Sequence, residues 1–251
     1  MFILIKCRIL WLLRVGNKNR FENLQKKRGH NMAKINNIGG VYRYLEWIMW
    51  IFYINILWVA FVVTGLIIFG LFPATAAMFA VYRGWFRRDV VDAKITKIFI
   101  HTYKKDFLKA NAIGYIVAGI GYLLYLNFQF SANIQGMMMY VTQTGLIFFG
   151  FVYIIMTLYI FPVWSHFDLK FPDYFKHAVL IGLYSPLTTI GMIIGLTITC
   201  LLFWYVPGVV PVIGVSLLAA ILMGCALFAF YSIDKKQRQF NESTYGGQEA
   251  E

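Results

Sequence analysis

Acidic residues are scarce in this sequence, and two long stretches of it lack ionisable side chains altogether. Asp and Glu number 11 against 23 Lys and Arg in 251 residues, and neither 110–164 nor 178–233 contains Asp, Glu, Lys, Arg or His. Proton relays and ion-coupled transporters commonly use ionisable groups inside the membrane, where such groups are costly and therefore functional by default. Their absence weakens a transport role, although backbone carbonyls in broken helices remain able to hold an ion. Cysteine is also rare: Cys7, Cys200 and Cys225 show no metal-ligand or redox spacing. The last two lie in apolar runs and read as buried thiols behaving as small hydrophobes. The short alternating apolar and polar segments of a membrane β-barrel are missing as well.

What the sequence has in abundance is apolar residues. A hydrophobic share of 60%, a charged share of 14% and a mean hydropathy of +0.65 exclude an ordinary soluble composition. They indicate an all-α polytopic membrane protein, each spanning helix needing about 20 mainly apolar residues. Five full spans are expected over 45–72, 110–130, 136–164, 178–206 and 209–231, within one helical membrane domain at 32–235. A short return leg or re-entrant helix, 73–86, follows Pro73. Trp47, Trp50 and Tyr53 serve as interface anchors of the first span. Pro73 suits the first turn of a new helix and disfavours αR at Phe72, so the break is expected there. A leg of this length rises only about 21 Å, short of a core of roughly 30 Å unless the turn lies within the apolar zone.

The formal net charge of +12 resembles a nucleic-acid signal until its positions are read. Eight Lys and Arg fall in 1–31 and eight between Arg83 and Lys109, and none lies inside a long apolar run. That is the pattern of cytoplasmic flanks facing an anionic leaflet, not of a nucleic-acid surface. Arg83, Arg87, Arg88, Lys94, Lys97, Lys104 and Lys105 are the expected membrane-surface basic set, with 92–109 a basic amphipathic helix on the cytoplasmic face. The turns SANIQ and Pro207-Gly208 carry no charge and are placed outside, whereas HFDLKFPDYFKH and DKKQRQ are placed inside, which makes the C-terminus cytoplasmic. A hairpin through Phe72-Pro73 keeps the N-terminus inside with the basic cluster, and a single crossing of 45–72 puts it outside. Residues 1–31 are either an amphipathic extension or, as favoured, lie upstream of a true start at Met32, and 236–251 is expected to be disordered.

Asn55-Ile56-Leu57-Trp58, then Gly70-Leu71-Phe72-Pro73-Ala74-Thr75-Ala76-Ala77 and Val81-Tyr82-Arg83, resemble the signature of the YesL-like family of bacterial integral membrane proteins. Phe161-Pro162, Phe167 and Phe175-Lys176-His177-Ala178 resemble its second region. The likeness covers roughly 36–235. The family is a domain of unknown function whose members are often encoded beside sugar ABC-uptake genes. The resemblance therefore implies a bacterial cell membrane and a link to sugar uptake, and it carries no catalytic residues.

Candidate sites read modestly beside their plain structural roles. Gly70, Phe72, Pro73, Ala74, Thr75, Ala76 and Ala77 form a structural turn, with Thr75 capping local backbone rather than lining a cavity. Gly191 and Gly195, four apart on one helix face, permit close helix packing, with an internal contact favoured. Ser185-Pro186 is expected to kink the fourth span. His166, Asp168, Asp173 and His177 crowd one loop but match no zinc pattern, so neither a metal nor a cofactor is expected. Asn127, Gln129, Trp204 and Tyr205 offer an extracytoplasmic amide and aromatic set able to contact a sugar, though aromatic belts and wet loops have the same composition. A membrane enzyme finds no supporting set of nucleophile with acid-base pair or of metal ligands in the spans, which hold no Asp, Glu, Lys, Arg or His between 110 and 164 or between 178 and 233. The expectation is a non-enzymatic accessory component of carbohydrate uptake with a sugar ABC permease as partner, the alternative being a small-solute transporter or channel.

Overall fold

The computed structural model describes residues 32–87, 94–131 and 135–245. Residues 1–31, Arg88, 92–93 of the expected surface helix, 132–134 of the SANIQ turn and 246–251 lie outside the described residues. The chain divides into two units, Met1–Tyr53 and Ile54–Glu251. In the first, the described backbone is helical from Met32, and the Trp50 and Tyr53 rings meet edge to face at 5.8 Å.

The described residues form seven α-helices and no strand. They are α1 (Met32–Thr64), α2 (Leu71–Arg87), α3 (Ile95–Ser131), α4 (Met137–His166), α5 (Asp173–Tyr184), α6 (Pro186–Tyr205) and α7 (Val210–Tyr245), with a 3-10 turn Pro207–Val209 before the last. Five segments are long and apolar enough to cross a membrane: Leu45–Thr64, Ile95–Ser131, Met137–His166, Pro186–Tyr205 and Pro207–Lys236. The protein is thus a multi-pass helical membrane protein.

Several boundaries differ from the expected ones. The first span stops at Thr64 instead of continuing to Phe72, and the break occupies 65–70, so Phe72 is already helical and Pro73 sits in the first turn of α2. Proline tolerates that place because its missing N–H has no intrahelical partner there. The reversal needs two glycines. A Cβ on Gly70 would stand 2.6 Å from the Val62 carbonyl oxygen, and Gly65 is packed against Gly70 itself. Between them Leu66 and Ile67 take φ of 58° and 61°, a left-handed conformation costing roughly 1–2 kcal/mol per residue.

The separate surface helix expected at 92–109 does not exist as such. Its described residues from Ile95 form the first part of α3, whose 37 residues rise about 55 Å and run on from Lys109 into the apolar segment with no proline to stop them. The fourth span is divided, not kinked. Pro186 begins α6, and the Ser185 peptide leaves the helix while the Thr189 hydroxyl donates to Gly182 O at 2.9 Å. The segment expected to be disordered from 236 onward is helical to Tyr245, since DKKQRQFNEST contains no breaker.

In the second unit the centre of packing is α2. Ala74, Ala77, Met78, Val81 and Tyr82 have no exposed surface, and the helix packs against α3, α4 and α7. Four alanines in its first turns let these neighbours approach, and the Phe79 and Phe161 rings stack at 5.8 Å. Polar ties fix α1 and α2 to α7. Asn55 Nδ2 donates to Pro211 O at 2.9 Å, Asn55 Oδ1 accepts from the Ser216 amide at 3.2 Å, and the Tyr82 hydroxyl bonds the Ser216 hydroxyl.

Candidate functional site

Two places in the second unit concentrate polar chemistry. The first is the reversal at 65–70. Leu66, Ile67, Ile68 and Phe69 all expose more than half of their surface at its tip, which suits an apolar surrounding. Irregular backbone survives in such a medium only if its polar groups are satisfied. A row of side chains at four-residue and eight-residue spacing on α3 does this. Tyr103 donates to Phe61 O at 3.1 Å, Asn111 Nδ2 to Phe69 O at 2.9 Å, and Tyr115 to Ile68 O at 3.1 Å. The Phe69 bond has a specific cause, because the residue four positions on is Pro73, which has no N–H to offer. Asn111 supplies the missing donor. Thr75 closes the turn locally, donating to Leu71 O at 2.7 Å and accepting from Trp58 Nε1 at 3.1 Å. Phe72 lies against Gly114, where any Cβ would collide with its ring, and meets Tyr115 edge to face at 5.2 Å. Of the residues expected to form the turn, only Gly70 lies in the reversal, while Phe72, Pro73, Ala74, Thr75, Ala76 and Ala77 belong to α2, and the α3 side chains that satisfy the reversal are not among the expected site residues. The available sign was Asn111, a neutral amide just inside an apolar run and in line with Tyr103, Phe107 and Tyr115.

The second place is a pocket of about 530 Å3 between the C-terminal half of α2, the first half of α3 and the end of α4. Arg83 and Arg87, four apart on α2, share a face, as do His101 and Lys105 on α3. His166, the last residue of α4, completes the wall, and Asp106 and Asp168 lie among the lining groups. His166 is held between rings, 4.5 Å from Phe230 and 4.6 Å from Phe167, and its Nδ1 is buried with no hydrogen-bond partner. The following loop is tied down by Tyr174, whose hydroxyl accepts from the Leu169 amide at 3.1 Å and donates to Phe167 O at 3.2 Å. Burial pushes the Tyr174 phenol up, so it keeps the proton that the second bond needs.

Of the expected basic set, Arg83, Arg87 and Lys105 line this pocket, whereas Lys94, Lys97 and Lys104 are exposed outside its lining. The loop acids and histidines do not converge. His177 Nδ1 lies 2.8 Å from Asp173 O, Asp173 meets Lys176 at 3.8 Å, and no group of three His, Cys, Asp or Glu side chains comes together among the described residues. Gly195 does meet a neighbour in the chain, since a Cβ there would stand 2.7 Å from Ile221 on α7. Gly191 corrects the expected internal ridge, because a Cβ there would meet nothing. The two lie on one helix face, but only Gly195 is in close approach to α7.

The amide and aromatic set is also not assembled. Asn127 Nδ2 bonds Leu123 O at 2.9 Å and Gln129 Nε2 bonds the Tyr125 hydroxyl at 2.7 Å, both within α3, while Trp204 and Tyr205 end α6 and are exposed. The principal packing partners of α3 are α2 and α4, and those of α6 are α5 and α7, so these helices present the two halves apart.

Comparison with known proteins follows the same helical core. A family profile described as a protein of unknown function, DUF624, matches residues 51–128. The chain is 36% identical over 200 residues to the uncharacterized protein YesV of Bacillus subtilis (strain 168), covering 79% of this chain and 95% of YesV. It is 34% identical over 202 residues to YesL of the same organism, covering 80% and 94%, and 34% identical over 186 residues to YteU, covering 73% and 82%. No solved structure matches it.

Proposed function

The chain belongs to the YesL-like DUF624 family, and on that premise we propose that it is a non-enzymatic accessory component of the bacterial cell membrane, serving carbohydrate uptake by binding another membrane protein. The observation that carries this reading is the filled interior. A conduit needs a wettable path along the helices, whereas α2 occupies the middle of the second unit with Ala74, Ala77, Met78, Val81 and Tyr82 wholly buried. Large apolar side chains face outward instead, as with Leu187, Ile190, Ile194 and Ile198 on α6, a surface equally suited to lipid and to other helices. The association with sugar uptake rests on the family resemblance alone. Affinity purification of the full chain from its native membrane is expected to bring down the permease subunits of a sugar ABC system. Solute flux into vesicles holding only this protein, without such a partner, would favour the transporter reading instead.

The orientation belongs to the same proposal, with the C-terminus cytoplasmic. Single cysteines at 170 and 236, in a background without Cys7, Cys200 and Cys225, are expected to escape an impermeant thiol reagent in whole cells. Cysteines at 135 and 208 are expected to react. The reverse pattern would overturn the orientation without touching the partner reading.

A further inference from the structure

The reversal at 65–70 is fixed to α3 by hydrogen bonds, and α3 serves as a ruler for its depth. Ile68 and Phe69 are bonded to Tyr115 and Asn111, whereas the charges of α3 end at Lys109. From Asn111 to the end of the helix at Ser131 the rise is about 30 Å, and from Tyr115 it is about 24 Å. The uncharged part of α3 thus has the length of a hydrocarbon core of roughly 30 Å, and the reversal lies beside its first turns. With Ser131 at the far boundary, a helix tilt of about 40° shortens the second rise to about 18 Å and still leaves Ile68 on the Lys109 side of the midplane. The adjoining turns of α3 have the composition of a headgroup boundary, since Leu108 is 81% exposed between the exposed Lys104 and Lys109.

We propose that the reversal is a wedge seated among the lipid acyl chains of the leaflet on the Lys109 side, and that α2 adds no crossing of its own. A reversal at the far surface would have to stand beside Ser131, about 30 Å beyond the residue that bonds Phe69. A reversal in water would expose Leu66, Ile67, Ile68 and Phe69 to solvent and would draw its missing donors from water, making those of Asn111 and Tyr115 redundant. The course of α2 agrees. It starts where Phe72 packs on Gly114, and its Gly84 end shares a pocket with Ile98 and His101 in the charged half of α3. The lysines of the adjoining turns favour an anionic lipid above the wedge. The inference rests on the multi-pass architecture and is independent of the partner reading above.

The test uses the full chain in vesicles of phosphatidylglycerol and phosphatidylcholine. In a background without Cys7, Cys200 and Cys225, single spin-labelled cysteines replace Ile68 and, along α3, Leu108, Ile116, Leu123 and Phe130, all of them exposed. Collision rates with oxygen, which concentrates among acyl chains, and with a water-soluble nickel chelate give the depth of each label. The α3 series is expected to be deepest near Leu123. The Ile68 label is expected to match Ile116, about 10 Å shallower, with few chelate collisions. A deepest point before Ile116 would put Ile68 in the far leaflet, and chelate collisions as frequent as at a label on the exposed Lys170 would put it in water; either result overturns the proposal. The unsubstituted chain gives a second reading should a label disturb the turn. Phosphatidylglycerol with a diazirine near the carboxyl end of its acyl chain is expected to form severalfold more adduct on 66–69 than the same lipid with the diazirine at the methyl end. No adduct there from either lipid would mean that a protein surface, such as a second copy of the chain, covers the reversal, and the lipid wedge would be wrong.

Discussion

Replacing Ala77 with leucine is expected to destabilise the protein by about 1–3 kcal/mol and to reduce the yield of folded material before any selective loss of function. The side chain has no exposed surface and lies in the helix that α3, α4 and α7 close around. Interiors packed to crystal-like density accommodate extra methylenes only by shifting backbone or forcing side chains off their rotamers. Ala76→Leu should behave alike, because Ala76 is 1% exposed. Ala112→Leu on α3 is the internal control. Ala112 is exposed, so the larger side chain meets the surrounding apolar medium and is expected to be nearly neutral. Thermal unfolding in detergent, read beside the amount of monodisperse protein, checks the series. Normal stability in Ala77→Leu together with loss of growth on the relevant carbohydrate would show that α2 touches a solute or a partner, and its role would then not be structural.

A second large effect is expected where proline removes a donor from the reversal. Asn111→Ala should cost about 1–3 kcal/mol, because the Phe69 carbonyl loses the 2.9 Å bond that replaces the absent Pro73 N–H. The two positions should be coupled. Pro73→Ala restores a backbone N–H four residues after Phe69, in register with the Ala74 amide, which already donates to Gly70 O at 3.0 Å. In that background Asn111→Ala should cost about 1 kcal/mol less than in the parent. Any cavity left by the asparagine is present in both backgrounds and cancels in the cycle. Additive costs would mean that the Phe69 carbonyl finds its donor elsewhere, and the account of Asn111 would fail.

The charge distribution and the lengths of the apolar runs were sufficient in the sequence to establish a multi-pass helical protein, because crossing a bilayer imposes a length and a polarity that no other environment demands. Gly65, Gly70 and Pro73 likewise announced a reversal, though the glycines and not the proline set its place, since close backbone approach needs the missing Cβ. The basic residues were visible too, but not which of them meet. Arg83, Lys105 and His166 share a pocket only because α2, α3 and α4 pack together. The sequence was silent on which apolar faces are buried, and for a physical reason. In a soluble protein water separates inside from outside by polarity, whereas in lipid both faces of a helix are apolar and only packing distinguishes them. On α6, Leu187 is 83% exposed and Met192 is not exposed at all, although the two are similar in hydrophobicity. The tertiary structure alone decided that α2 is the buried helix and α6 the bare one, because that choice depends on which side chains interlock and not on how much they avoid water.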